Sequence, residues 1–294
     1  MSEPGTPPVV GVIGGSGVYQ MDGLENARWT RVDTPYGQPS DALLCGEIGG
    51  QPVVFLPRHG RGHVVPPHRL NFRANIDALK QLGVTDVISL SAVGSLKEEL
   101  APGTFVLVDQ FVDRTVKRER SFFETGLVAH VSCADPTCAR MLETLDGAAR
   151  MENIPVARGG TYLVVEGPQF STRAESFLYR QWGCDIIGMT NMPEARLARE
   201  AELCYATVGM VTDYDCWHDD HENVSVEQVL AQLQANAENA RRLVGRAVPA
   251  LKERDSACHA GCHRALDTAV VTQPHARDPE AVARLQTVAG RALE

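Results

Sequence analysis

The 294-residue chain has no uninterrupted apolar stretch of about 18 residues, which excludes a transmembrane helix from the expected architecture. It also lacks the basic-then-apolar layout of a secretory signal. It opens on "MSEPGTPPVV", acidic and rich in proline, so a cytoplasmic location is expected. Positive charge is in deficit: 28 Lys and Arg stand against 37 Asp and Glu, a net charge of −9. That balance argues against nucleic acid or an anionic membrane as the main partner, and leaves room for an anionic small substrate in a local basic pocket. Cysteine is too sparse, 8 residues in all, for a disulfide scaffold. The dinucleotide-binding pattern is missing as well. Gly15-Ser16-Gly17 would need a glycine at position 20, which is Gln20, so no nicotinamide cofactor is expected. Neither an internal repeat nor a long linker interrupts the chain.

Two cysteine groups invite different readings. Cys184 and Cys204 begin apolar runs and read as small packed hydrophobes. Cys258, His259, Cys262 and His263, in "CHAGCH", could form a metal clip or a disulfide. The spacing is not that of haem attachment and matches no zinc motif firmly. Free or packed thiols are the favoured reading, and no metal is expected.

What is present is a rhythm of short β-branched runs and helical patterns. "VVGVIG", "PVVFLP", "VTDVISLS", "TFVLVDQFV", "TYLVVEG", "CDIIGMT" and "CYATVGMVT" read as strands. "HRLNFRANIDALKQLG", "DPTCARMLETLDGAARMEN", "STRAESFLYRQWG" and "PEARLAREAEL" carry helical periodicity. Thr172 with Glu175 and Ser225 with Gln228 are capping-box pairs, and Asn191 with Glu194 is a similar arrangement. Gly83 and Gly183 are expected left-handed helix stops. A long helix is predicted over about Ser225 to Glu253, and a last one from Asp278-Pro279. Together these imply a single α/β domain, residues 1–294, with a twisted mixed sheet flanked by helices.

Candidate chemistry gathers at strand ends. Gly14, Gly15 and Gly17 around Ser16 suit a tight loop that brings backbone to an anion. "LPRHGRGH" sets Arg58, His59, Arg61 and His63 within six residues, a basic cluster suited to phosphate. "SLSAVGSL" supplies the hydroxyls of Ser89, Ser91 and Ser95. "VVEGPQFSTRAES" holds Glu166 and Phe170, the latter a stacking platform or a core residue. Thr190, in "GMTNMPEA", stands at a helix N-terminus. In "TDYDCW", Asp213 and Asp215 are two apart. They face one way if the strand persists, and two carboxylates sharing a space repel unless a proton or hydrogen bond intervenes.

Six motifs in order, "IGGSG", "PRHG-x-x-H", "SAVGSL", "VEGPQFSTRAES", "GMTNMPEA" and "TDYDCW", give the chain its resemblance. It is similar to the nucleoside phosphorylases of the trimeric purine-nucleoside-phosphorylase family, and most to the branch acting on 5′-methylthioadenosine. The likeness reaches about residue 250, and the tail from about 254 matches less well. The resemblance implies a phosphate site of Ser16, Arg58, His59, Ser91 with the Ala92 backbone, and Thr190. It implies Met189 at the ribose and Phe170 at the base, with Ser171 and Val226 tuning substrate choice. It adds His130 of a neighbouring subunit in a homotrimer or dimer of trimers. Relatives often carry Thr where this chain has Ser16 and Ser91, so the hydroxyl is kept.

The expected reaction is phosphate-dependent cleavage of 5′-methylthioadenosine to adenine and 5-methylthioribose 1-phosphate, without metal or cofactor. Phosphate is the co-substrate. Asp213 and Asp215 fit the N7 acceptor and 6-amino donor of adenine, because a carboxylate accepts from an amino group and cannot donate to a 6-oxo group. His63, Val226 and Val229 are expected apolar walls for the 5′ group. A 6-oxopurine or methylthioinosine phosphorylase is the alternative within the family. A metal hydrolase using His218 to Glu222, "HDDHE", and a non-catalytic nucleoside binder stand outside it.

Overall fold

The computed structural model describes residues 8–15, 17–21, 23–218, 226–252 and 258–293, with side chains of the long helix from residue 232. The calls on Ser16, on the capping pair at Ser225, on residues 219–222 of the "HDDHE" stretch, and on the side chains of Val226 and Val229 lie outside that description. No helix among the described residues is long and apolar enough to cross a membrane.

Among the described residues, eleven strands form one mixed sheet. Its centre is β5 (Val84–Ser95), which pairs in parallel with β1 (Val9–Gly14) on one side and β11 (Cys204–Asp213) on the other. β1 continues in parallel to β4 (Gln51–Pro57), and an antiparallel meander through β3 (Leu43–Ile48) and β2 (Leu24–Thr30) closes that edge. The last residues of β5 turn away to pair antiparallel with β10 (Ile186–Gly188), which leads in parallel to β9 (Thr161–Val164) and β7 (Gln110–Asp113). β6 (Phe105–Val108) lies antiparallel to β11 and carries β8 (Val156–Arg158). The sheet therefore divides at β5. The alternation of strands and helices expected from sequence is present, and so is the mixed character.

The helices follow their local signals. α1 (Phe72–Gln81) starts where the Asn71 side chain accepts from the Ala74 N–H, and buries Phe72, Ile76 and Leu79 on one face. α2 spans Ala139–Met151. α3 (Arg173–Gln181) has the full Thr172–Glu175 capping box, and Gly83 and Gly183 stop α1 and α3 with positive φ, as expected. α4 spans Asn191–Glu200, α5 Val226–Ala250 and α6 Pro279–Leu293. Proline at the first position of α6 and the Asp278 carboxylate accepting from the Glu280 N–H explain its start.

Three expectations need correction. Asn191 with Glu194 is not a capping pair: Thr190 is the N-cap and makes no capping bond with its side chain. Both Asn191 and Glu194 are drawn into a buried polar network, which outweighs the cap. "TFVLVDQFV" is two strands, because Asp109 breaks it between β6 and β7. β2 escaped the apolar reading because it is an exposed, polar edge strand, and β3 because its six residues, LLCGEI, do not form an apolar run.

The tail is built onto the core. Leu285, Val288 and Ala289 of α6 join the cluster of Leu79, Leu203 and Tyr205. Cys204 is buried as expected, but the neighbours of Cys258 and Cys262 are Cys138 and Cys204, while His259 is exposed.

Candidate active site

Parallel strands in an α/β sheet carry their ligand sites at their carboxyl ends. Gly14 and Pro57 pair at the ends of β1 and β4, Gly209 pairs with Ser91, and Asp213 pairs with Gly94 where β11 and β5 finish. Ala92 is the exposed residue in a strand whose neighbours Ser91 and Val93 are buried.

The two acids of "TDYDCW" converge, though not by strand alternation. β11 ends at Asp213 after a register shift, and Asp215 begins a 3₁₀ turn at φ 52°. A non-glycine residue there is strained, and such strain persists where the surroundings hold it. The Asp215 N–H donates to Asp213 Oδ1 at 2.8 Å, and Thr212 Oγ1 donates to Asp213 Oδ2 at 2.6 Å. Ser176 Oγ, from α3, donates to Asp215 Oδ2 at 2.5 Å. Trp217 Nε1 fastens the turn to the Ser95 carbonyl at 2.7 Å, and the Arg180 guanidinium covers the Trp217 ring. Gly94 sits under both acids: a Cβ there would meet Asp213 Oδ1 at 3.0 Å and Asp215 Cβ at 3.3 Å.

Burial pushes the Asp213 carboxyl above the usual carboxylate range, against the hydrogen bonds from Thr212 and the Asp215 backbone. Burial likewise raises Asp215, and the neighbouring Asp213 charge adds to it. Both shifts run towards easier protonation of the pair.

The basic and hydroxylic set lies beside it in two layers. Arg58 is 2% exposed and clamps Glu194 of α4, with Nε to Oε2 at 2.9 Å and Nη2 to Oε1 at 3.1 Å. Nη1 donates to the Leu90 carbonyl and Nη2 to Ser89 Oγ. Ser89 and Tyr205 both donate to Glu194 Oε1, and Asn191 Nδ2 donates to Tyr205 Oη at 2.6 Å. Arg58 is therefore a buried, tethered cation rather than a solvated one. Above it, Ser91 Oγ lies 2.9 Å from Tyr162 Oη and 3.1 Å from Thr190 Oγ1. The Ser91 and Thr190 hydroxyls so share one cluster, and Thr190 is free of capping duty.

His59 donates Nδ1–H to the Val65 carbonyl at 2.9 Å, and its ring stacks on His63 at 4.2 Å. Burial first, and the Arg58 charge second, hold its pKa down at about 4. His59 is neutral at physiological pH, with Nε2 as an acceptor. Arg61 leaves the basic cluster: it pairs with Asp41 at 2.9 Å and lies over the Trp29 ring, because the backbone turns at Gly60 and Gly62.

The remaining candidates fall around this core. Met189 precedes Thr190 and packs against Gly167. Phe170 is 69% exposed, so it is a surface ring and not core. Ser171 Oγ is buried with no hydrogen-bond partner among the described residues, while its carbonyl accepts from Cys216 Sγ at 3.3 Å. His130 is exposed and anchored through its N–H to the Ala269 carbonyl. Glu166 is taken by the Val116 and Lys117 N–H groups and by Arg118, a loop anchor. His218 Nε2 pairs with Glu98 Oε1 at 3.0 Å and stacks on Tyr214.

Sequence reasoning missed Ser176, Gly94, Tyr162 and Glu194. Ser176 had a local signal, since it follows the capping box of α3 by one residue. Gly94 and Tyr162 are joined to the site by the pairing of distant strands, and Glu194 of α4 by its ion pair with Arg58.

Known proteins resemble the chain over most of its length. The chain is 59% identical over 294 residues to a Rhodospirillum rubrum protein named S-methyl-5′-thioadenosine phosphorylase, covering 100% of both chains. It is 58% identical over 286 residues to the Cereibacter sphaeroides protein of the same name, covering 97% of this chain and 99% of that one. Among solved structures, a methylthioadenosine phosphorylase from an antarctic soil metagenomic library superposes with a TM-score of 0.91 at 47% identity, covering 96% of this chain and 99% of that one. The Schistosoma mansoni methylthioadenosine phosphorylase in complex with adenine gives 0.81 at 39% identity, covering 84% and 93%. The full-length matches include the tail that the six motifs left out. With the family profile matching residues 9–249 as well, the chain belongs to the phosphorylase superfamily.

Proposed function

We infer that the chain is a pentosyltransferase that cleaves 5′-methylthioadenosine with inorganic phosphate, giving adenine and 5-methylthioribose 1-phosphate. It thereby serves purine and methionine salvage. The observation that carries this reading is the convergence of two acids with raised pKa values on Gly94, three residues along β5 from the Ser91–Thr190 hydroxyl pair. Three strand residues span roughly 10 Å, room for a pentose between a phosphate and a base.

Ser91, Thr190, the Ala92 backbone and Ser16 hold the phosphate, with Arg58 supplying positive charge from beneath. Neutral His59 accepts a hydrogen bond at Nε2 from the remaining phosphate hydroxyl, which keeps its proton. A phosphate oxygen attacks C1′ as the bond from C1′ to the purine nitrogen breaks, and the bonding electrons pass into the adenine ring. Asp213 meets the charge developing at N7 with a proton, and Asp215 accepts from the 6-amino group. Met189 lies at the ribose and Phe170 at the base. His63, Val226 and Val229 enclose the 5′ group, with Ser171 and Val226 setting substrate choice.

We place His130 in the site of a neighbouring copy, in a homotrimer or dimer of trimers acting in the cytoplasm. Val116, Phe170, Phe177 and Trp182 are exposed apolar side chains, as such an assembly requires. The test is a nucleoside panel assayed with and without phosphate. Strict phosphate dependence with a sugar 1-phosphate product is expected. Equal turnover in phosphate-free buffer, with free methylthioribose released, rejects the reading.

A further inference from the structure

Four cysteines far apart in sequence meet at one point in the fold. Cys138 precedes α2, Cys204 opens β11, and Cys258 and Cys262 lie on the segment between α5 and α6. Their Sγ atoms all lie within 4.8 Å of one another, and Cys138 Sγ is 3.6 Å from Cys258 Sγ. The residues are 1–2% exposed. We propose that this cluster is a structural metal site, a mononuclear tetrathiolate centre of the zinc class, which fastens the C-terminal segment to the phosphorylase core.

The geometry fits a single ion. A tetrahedral zinc–thiolate bond of about 2.3 Å sets its four sulfurs about 3.8 Å apart, close to the 3.6 Å between Cys138 and Cys258 and inside the 4.8 Å limit of the cluster. A disulfide needs its sulfurs at about 2.04 Å, and all four cysteines are free thiols here. Four sulfur ligands and no solvent exposure describe a closed, structural site with no position for substrate. Soft thiolates select zinc over the hard cations that oxygen ligands hold.

Each half is prepared by its own backbone. The Cys138 N–H donates to the Tyr205 carbonyl at 2.8 Å, so the start of α2 is pinned beside the start of β11, and two ligands are fixed within the core. Cys258 and Cys262 stand in a C-x₃-C turn that Gly261 allows at φ 71°, with its N–H on the Cys258 carbonyl at 2.9 Å. Ligands separated by two to four residues are usual for structural zinc. The charge is also answered. Four thiolates on a divalent ion leave a dianion. Arg199 Nη1 lies 3.5 Å from Cys262 Sγ, and the positive end of the 13-residue α2 begins at Cys138, whose side chain makes no capping bond. His259 and His263, adjacent in sequence, are not needed as ligands.

The test uses the full chain purified without chelator. Elemental analysis is expected to give about one zinc per chain, and cobalt substitution to give the intense ligand-field bands of a tetrahedral four-sulfur site. A mercurial titration of the wild type should release the zinc in step with the loss of four thiols. The double variant C258S/C262S should lose the metal, while Cys45→Ser keeps it. Less than about a tenth of an equivalent of any metal overturns the proposal, whether the four thiols then titrate freely or appear only after reduction. Full zinc retention in a folded double variant overturns it equally. If that variant does not fold, the wild-type metal content and the mercurial titration still decide.

Discussion

The Asp215 backbone N–H donates to Asp213 Oδ1 at 2.8 Å, so the two acids form one turn and their side chains answer to each other. Replacing Asp213 by alanine removes both the acceptor that shapes the turn and the proton proposed for N7. Turnover of methylthioadenosine should fall by about 10²–10⁴-fold, a usual range for loss of general acid catalysis, with a smaller change in KM. Steady-state kinetics on the purified variant check this. A loss confined to KM would assign Asp213 to binding alone.

Asp215→Asn should move preference from 6-amino towards 6-oxo nucleosides. The amide donates where the carboxylate cannot, so the methylthioadenosine to methylthioinosine ratio of kcat/KM should shift by about 1–3 kcal/mol, the cost of an unmet polar contact. An unchanged ratio would place the 6-position of the base elsewhere.

Gly94→Ala tests the floor beneath the acids. The new methyl would stand 3.0 Å from Asp213 Oδ1, 3.2 Å from Ile187 Cγ2 and 3.3 Å from Asp215 Cβ, and the backbone on two sides is paired. We expect a folded protein with turnover lowered by about tenfold, since sub-ångström displacement of a catalytic group is costly. Thermal melting measured beside kcat separates this from simple destabilisation.

Arg58 and Glu194 form a buried pair, each side chain 2% exposed. Glu194→Ala strands the guanidinium without its counter-charge and should cost about 3–5 kcal/mol, readable as a fall in urea midpoint. The KM for phosphate should rise in the same variant, because Arg58 loses its tether. A stable variant with unchanged phosphate affinity would separate Arg58 from the phosphate site.

His59 gives a pH signature. The unfolded chain takes up this proton near 6.5, but the folded site, buried and beside Arg58, takes it up only at about 4. Its contribution to stability is therefore complete above about 6.5 and is lost as pH falls from there through about 4. Imidazole NMR should show a resonance titrating near the lower value, absent in His59→Gln. That variant should also flatten the slope of stability against pH in this window. A His59 midpoint near 6.5 would contradict the burial of its ring.

Much of this was legible in the chain. The strands of the sheet core, the capping box of Thr172 and Glu175, and the glycine stops declared themselves because their causes are local. The acid pair was legible too, but for a different reason from the one sequence suggested. Strand alternation would have aligned Asp213 with Asp215, whereas a strained 3₁₀ turn does so. Asn191 and Glu194 looked like a helix cap because their spacing is right, and only tertiary packing reveals that Arg58 and Tyr205 claim them. Cys138 and Cys204 gave no sign of sharing a neighbourhood with Cys258. The meeting is made by strand β11, a helix start and the tail together, none of which a spacing rule can see.

β11 runs nine residue steps from Cys204 to Asp213, roughly 30 Å of extended chain. The cysteine cluster lies at one end and the acid turn at the other, and the β5 residues they pair with, Asp86 and Gly94, are eight positions apart. Substitutions at the two ends should combine additively in stability. Mutational drift around the cysteines can therefore change how long the protein survives heat without altering which nucleoside it chooses, and the acid turn can be retuned to another base on an unchanged chassis.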